Sequence, residues 1–157
     1  MIKDNNWFKK WFNSDYYHIL YRNRSQKEAN LFIDKLILNL KLDENTRILD
    51  LGCGKGRHAY RMSKYFNHVD GLDLSNQSIE KAKEFSKLNL KFHIGDMRNF
   101  NLPNRYNYIF NLFTSFGYFE KINQNIDVLK CCFSHLRKDG FLLIDYLNSE
   151  LIRSQIT

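Results

Sequence analysis

The chain has 157 residues, enough for one well-buried domain and too few for two. Its 43% hydrophobic and 26% charged residues exclude wholesale disorder, and no apolar run approaches the ~20 residues that span a bilayer, so no membrane partner is expected. The formal charge of +7 is spread over scattered lysines and arginines, a pattern of solvated surface that argues against a nucleic-acid partner.

Met1 to Asn6 carries an acid and no apolar stretch, so it does not read as a signal peptide. With three cysteines, two of them adjacent at Cys131 and Cys132, the chain has neither a disulfide framework nor a metal-binding pair, and a reducing, cytoplasmic location is expected. An aromatic segment from Trp7-Phe8 through Trp11-Phe12 to Tyr21 predicts one or two short helices. Ser25-Gln26-Lys27-Glu28 has capping-box spacing. Ala29, Phe32, Ile33, Leu36, Ile37 and Leu40 then form one helical stripe.

From Arg47 the periodicity changes. Ile48 to Leu51 reads as a buried strand that stops at glycines, and helical spacing follows at Ala59, Met62 and Phe66. Val69 to Leu74 is a second strand, and Ser75 caps a helix through Ile79, Ala82 and Phe85 towards Leu88. Leu90 to Ile94 alternates as a third strand, and Tyr108 to Phe113 is a fourth. Ile122, Ile126, Leu129, Phe133 and Leu136 predict the buried face of another helix, closed by Gly140 in a left-handed conformation, and Phe141 to Tyr146 is a fifth strand. Strands alternating with helices predict an α/β fold with a mainly parallel sheet between two helical layers.

The strongest chemical signal is Asp50-Leu51-Gly52-Cys53-Gly54-Lys55-Gly56, where the first strand turns into a helix. Glycines there let the backbone approach a ligand, and a helix N-terminus offers amide donors. Asp73, at the end of the second strand, can accept both hydroxyls of a ribose, because ligands of open parallel sheets sit outside the carboxyl ends of the strands. A dinucleotide-binding turn would carry its third glycine at position 57, which is Arg57.

These residues resemble motifs of the class I S-adenosylmethionine-dependent methyltransferases: Asp50 to His58, then Gly71-Leu72-Asp73-Leu74-Ser75, Gly95-Asp96-Met97, Tyr108 to Asn111, and Leu136 to Leu143. The resemblance implies a three-layer α/β/α Rossmann-like fold that binds S-adenosyl-L-methionine and no metal. It implies that Gly52, Cys53 and Gly54 line the cofactor with backbone, Asp50 holds its amino group, and Asp73 takes the ribose hydroxyls. Leu74 would pack on the adenine, Asp96 and Met97 would bond it, and Asn111 and Phe113 would border the methionine part and the acceptor. The family's sheet runs 3-2-1-4-5-7-6, so the chain reads as truncated after strand five.

The acceptor is expected to be a small molecule. After strand four, Asn111-Leu112-Phe113-Thr114 lacks the prolines of amino-adenine methylators, and Cys131 and Cys132 fall within a helix rather than in a catalytic loop. Residues 1–24 are expected to form a lid, with Tyr16, Tyr17, His18, Tyr21 and Arg24 presenting polar tips, and residues 25–157 to form the cofactor-binding domain. Thr114 to Tyr118 would supply the facing wall. His18, His58, Tyr21 and Asn111 are the candidate catalytic side chains. A non-catalytic cofactor-binding module acting through a partner is the alternative. The fifth strand, left as an edge, is expected either to pair with a second copy in a homodimer or to leave a marginal isolated monomer.

Overall fold

The computed structural model describes residues 7–12, 14–20 and 25–155, without the side chains at positions 9, 15, 17 and 18. Two short helices, α1 (Trp7–Phe12) and α2 (Asp15–Leu20), precede α3 (Gln26–Leu40). Ser25 caps α3 as its spacing predicts, its hydroxyl accepting from the Glu28 amide at 3.1 Å, while the Glu28 carboxylate turns instead to Arg57. Strands β1 (Arg47–Leu51), β2 (His68–Asp73), β3 (Leu90–Ile94), β4 (Tyr106–Asn111) and β5 (Leu136–Ile144) form a five-stranded sheet in the order β3-β2-β1-β4-β5. Every pairing in it is parallel.

Alternation along β1 explains the layers. Ile48 faces the side covered by α3, α4 (Arg57–Met62) and α5 (Asn76–Ala82), where Ile33, Met62, Ile79 and Phe92 pack. Leu49 and Leu51 face the opposite side, covered by α1, the 95–105 loop and α6 (Ile122–His135). Chain order reverses between β1 and β4, which puts the ligand-binding crevice of such a sheet at the carboxyl end of β1.

One side chain sets how closely β1, β2 and β3 meet. The Phe92 ring fills the space in front of two glycines: a Cβ on Gly56 would lie 2.6 Å from it, and a Cβ on Gly71 2.7 Å. Gly56 also has φ of 78°, so it meets both reasons for glycine at once.

Three local expectations are corrected. The apolar stripe of α6 does not face the core: Ile122 and Phe133 are 75% and 80% exposed, and Ile126 and Leu129 are also exposed. The buried face is Val128, Cys132 and His135. The 95–105 loop selects it, because its polar backbone needs partners there. The Leu102 amide donates to His135 Nε2 at 3.2 Å, and the Cys131 thiol donates to the Phe100 carbonyl at 3.3 Å. Gly140 does not close that helix. It lies inside β5, where a Cβ would meet the carbonyls of Arg137 and Tyr106 at 3.0 Å, and the left-handed residue is Asp139 at φ 64°. The helix after Ser75 ends at Ala82 and tightens to a 3-10 turn over Lys83–Phe85, leaving Leu88 98% exposed.

The last described helix, α7 (Ser149–Gln155), is mainly exposed. No described helix is long and apolar enough to cross a membrane.

Candidate functional site

The turn after β1 is built by its neighbours. Gly52 has φ of 80°, and a Cβ there would sit 2.9 Å from the Ser115 side chain. The Gly52 and Cys53 amides both donate to the Leu72 carbonyl, at 2.7 and 3.0 Å. Asp73 locks the next step: its Oδ2 accepts from the Gly54 amide and its Oδ1 from the Ser75 amide, both at 2.8 Å. One carboxylate therefore joins the glycine turn to the start of α5. Burial pushes the Asp73 carboxyl above the usual range, and the amide donors oppose that shift.

Asp50 lies beneath the turn, 1% exposed, and accepts from the Ala59 amide at 3.1 Å. Burial pushes its carboxyl up to about 7, the Ala59 bond opposes the rise, and the charge of Asp73 adds to it. Part of the amide donor set around the helix behind the turn is spent inside the protein. That helix has six residues, its Ala59 amide is taken by Asp50, and the Gly54 amide of the turn is taken by Asp73. Cys53 turns its sulfur into the core, 2.9 Å from the position of a Cβ on Gly71. Burial, with the Asp50 and Asp73 charges, holds its thiol well above the ordinary value, so it is a packed thiol and no nucleophile.

Over the turn lies a cleft with about 660 Å³ of space, part of it open to solvent. Gly52, Gly54, Leu72, Asp73, Leu74 and Ser78 line one side, Gly95, Asp96 and Met97 the floor towards β3, and Ser115, Tyr118 and Phe119 the opposite wall. Phe8 and Phe12 of α1 close it. Phe8 is 3% exposed and meets Phe119 edge-on at 5.2 Å, and Phe12 meets Tyr118 at 5.0 Å. The cleft thus combines carboxylates, backbone close enough to touch a ligand, and aromatic walls. That donor set fits a ligand with hydroxyls, a flat heterocycle and positive charge.

Six of the expected cofactor residues share this cleft, Gly52, Gly54, Asp73, Leu74, Asp96 and Met97, and Ser115 and Tyr118 of the expected facing wall join them. Four others do not line it. Asp50 and Cys53 lie below the turn, as described. Asn111 is buried and spends its side-chain amide on the Leu51 carbonyl at 2.9 Å, a cross-strand tie. Phe113, left-handed at φ 55°, turns its ring towards α3, stacking on His58 at 4.7 Å and meeting Phe32 at 5.3 Å. His58 is buried in that aromatic cluster. Tyr21 and the His18 side chain lie outside the described residues.

The expected lid segment, residues 1–24, contains the two phenylalanines that cover the cleft, but sequence reasoning did not single them out. It looked to the polar tips of Tyr16 to Arg24, and Tyr16 is 77% exposed. The usable signal was the four-residue spacing of Phe8 and Phe12, one turn apart on one helix face. It also missed Asp145, whose Oδ2 accepts from the Phe113 amide at 2.9 Å and whose carbonyl accepts from Thr114 at 3.2 Å. These bonds hold two successive non-glycine residues at φ 55° and 60°, strain of the kind found at ligand sites.

A family model described as a methyltransferase domain matches residues 42–157. A dTDP-3-amino-3,4,6-trideoxy-alpha-D-glucopyranose N,N-dimethyltransferase of Streptomyces venezuelae is 26% identical over 135 residues, 84% of this chain and 56% of the relative. A malonyl-[acyl-carrier protein] O-methyltransferase of Bacillus cereus is 30% identical over 133 residues, covering 83% and 48%. Among solved structures, S-adenosylmethionine-bound CalS10, an amino pentose methyltransferase from Micromonospora echinaspora, superposes with a TM-score of 0.69. It is 27% identical over 87% of this chain and 58% of the other. The chain spans about half the length of the curated relatives it matches.

Proposed function

This chain belongs to the methyltransferase-domain family, with the class I methyltransferase fold, and from that premise we propose that its cleft binds S-adenosyl-L-methionine for methyl transfer to a small molecule. The observation that carries the reading is the convergence of Gly52, Gly54, Asp73, Leu74, Asp96 and Met97 on one cleft at the carboxyl ends of the strands. Asp73 would take the ribose hydroxyls, Leu74 and Met97 the faces of the purine, and Asp96 its exocyclic amine. Asp50 acts from below, as a buried negative charge near the amino group. Bound there, the cofactor would supply a methyl carbon activated by a cationic sulfonium. The chain's own part is to align the acceptor and exclude water, which Phe8, Phe12, Tyr118 and Phe119 can do.

A small acceptor with an amine or hydroxyl is supported by relatives named for amino sugars and for malonyl-carrier substrates. The aromatic walls are of the right kind to stack such a molecule. Calorimetric titration with S-adenosylhomocysteine and with NAD tests the cofactor reading. Binding of the first alone is expected, with slowed hydrogen exchange in residues 7–12 as α1 closes. Binding of NAD alone would sink it. A methyl-transfer assay on amino-sugar nucleotides then separates an enzyme from a module that only binds cofactor.

A second copy of the chain is the partner that β5 would take. Its first half is blunted by Arg137, Lys138 and Asp139, but Phe141 is 58% exposed and its strand is the outermost of the described sheet. Antiparallel pairing of the Phe141–Ile144 halves would give a two-fold dimer. Sedimentation velocity should show a species of twice the monomer mass that an Ile144→Pro change in β5 abolishes. A monomer at all concentrations would reject the pairing.

A further inference from the structure

The Asp96 carboxylate does not stand alone in the cleft. Arg98 grips it from two residues along the chain. Its Nε donates to Oδ1 at 2.9 Å and a terminal nitrogen donates to Oδ2 at 2.6 Å, while the Arg98 amide adds a third bond to Oδ1 at 3.0 Å. The same guanidinium lies 4.5 Å from the centre of the Phe119 ring and 5.8 Å from that of Phe8. Those two rings meet edge-on and belong to the wall and the cover of the cleft. A two-bond fork fixes the rotation of a carboxylate, and a flat cation on aromatic faces adds attraction that a point charge on a flexible stem cannot reproduce. Arg98 itself is not among the residues that line the cleft, so its influence passes through Asp96 and Phe8.

We propose that Arg98 is a positioning residue: it holds the Asp96 carboxylate in one orientation towards the ligand's purine amine and ties α1 over the same end of the cleft. The two tasks are coupled, because one guanidinium performs both. Loosening α1 removes one of the two rings that hold the guanidinium, and an arginine held less firmly fixes the Asp96 carboxylate less firmly. The ligand half of the inference rests on the cofactor reading above, whereas the α1 half does not.

The test uses the full chain with Arg98→Lys and Arg98→Met. Lysine keeps the charge and loses both the fork and the flat face. S-adenosylhomocysteine affinity should fall about 5-fold in the lysine variant and about 10-fold or more in the methionine variant. S-inosylhomocysteine, which lacks the purine amine, supplies the discriminating readout. The preference for the adenine form should shrink about 5-fold in both variants, a change that general loosening of the fold would not produce. In ligand-free protein, hydrogen exchange of residues 7–12 should quicken in both variants while that of β1 and β4 stays as in the wild type. Unchanged discrimination, or unchanged exchange in α1, overturns the proposal. Failure of the wild type to bind S-adenosylhomocysteine would count against the cofactor reading instead, and the exchange of α1 would then decide the role of Arg98.

Discussion

Asp73→Ala is expected to lose about 1–3 kcal/mol of S-adenosylhomocysteine binding, roughly 5- to 150-fold in affinity, and to lose fold stability of similar size. Both losses come from the same atoms. The carboxylate is the acceptor proposed for the ribose hydroxyls, and it is also the acceptor for the Gly54 and Ser75 amides. Removing it leaves two partly buried donors unmatched and frees the glycine turn to drift. Asp73→Asn separates the effects. Its single carbonyl can keep one amide bond, so the variant should recover part of the stability while binding stays weak. Calorimetric titration reads the first quantity and chemical denaturation the second. Wild-type affinity in Asp73→Ala would remove this residue from the site.

The second large effect is protonic and centres on Asp50. Its carboxyl titrates at about 7 in the folded chain, against about 3.9 in an unfolded one. Between those values the folded protein holds the proton and the unfolded chain does not. Stability is therefore greatest below about pH 4 as far as this group is concerned, and is lost as pH rises to about 7. The upper bound on the loss is about 4 kcal/mol. Asp73, raised by burial, adds a smaller change of the same sign. Thermal melts of ligand-free protein should fall across that window, and Asp50→Asn, which keeps an acceptor for the Ala59 amide, should flatten most of the slope. A cationic amino group placed near Asp50 reverses the preference and expels the proton. Cofactor affinity should then rise with pH up to about 7, with about one proton released on binding, measurable by titration in buffers of different ionisation heat. No change in slope in Asp50→Asn would show that another group carries the titration.

The sheet was legible because its strands are short apolar runs punctuated by turn residues, and β1 to β3 fall within a residue or two of their predicted limits. The residues that line the cleft were legible for a related reason. Gly52, Gly54 and Asp73 serve the backbone of a turn, so their chemistry is tied to their spacing. Side-chain direction was less accessible. Phe113 was expected to end β4, but the strand stops at Asn111 and a left-handed backbone turns the Phe113 ring towards His58 and Phe32 rather than towards an acceptor. In α6 the largest hydrophobes mark one face and the core takes the other, because Cys131 and His135 satisfy the polar backbone of the 95–105 loop. Hydrophobic size ranks transfer energy, but nothing in it records where an unpaired amide waits. Arg98 escaped notice for the same reason: its value lies in partners 90 residues earlier and 21 later along the chain, Phe8 and Phe119.

The Phe92 ring in front of Gly56 and Gly71 has a bearing on how this sequence can diverge. The three positions share a single volume, so none can change at its own pace. An alanine at position 71 becomes tolerable only after the ring has shrunk to a smaller side chain and the Cys53 sulfur, 2.9 Å from the same Cβ, has given way too, and a smaller side chain beside two glycines opens a void that costs stability until one of them is filled. Position 56 cannot do the filling, because its backbone is left-handed. Among descendants of this chain, a substitution at 71 should therefore arrive together with changes at 92 and 53 while 56 stands still.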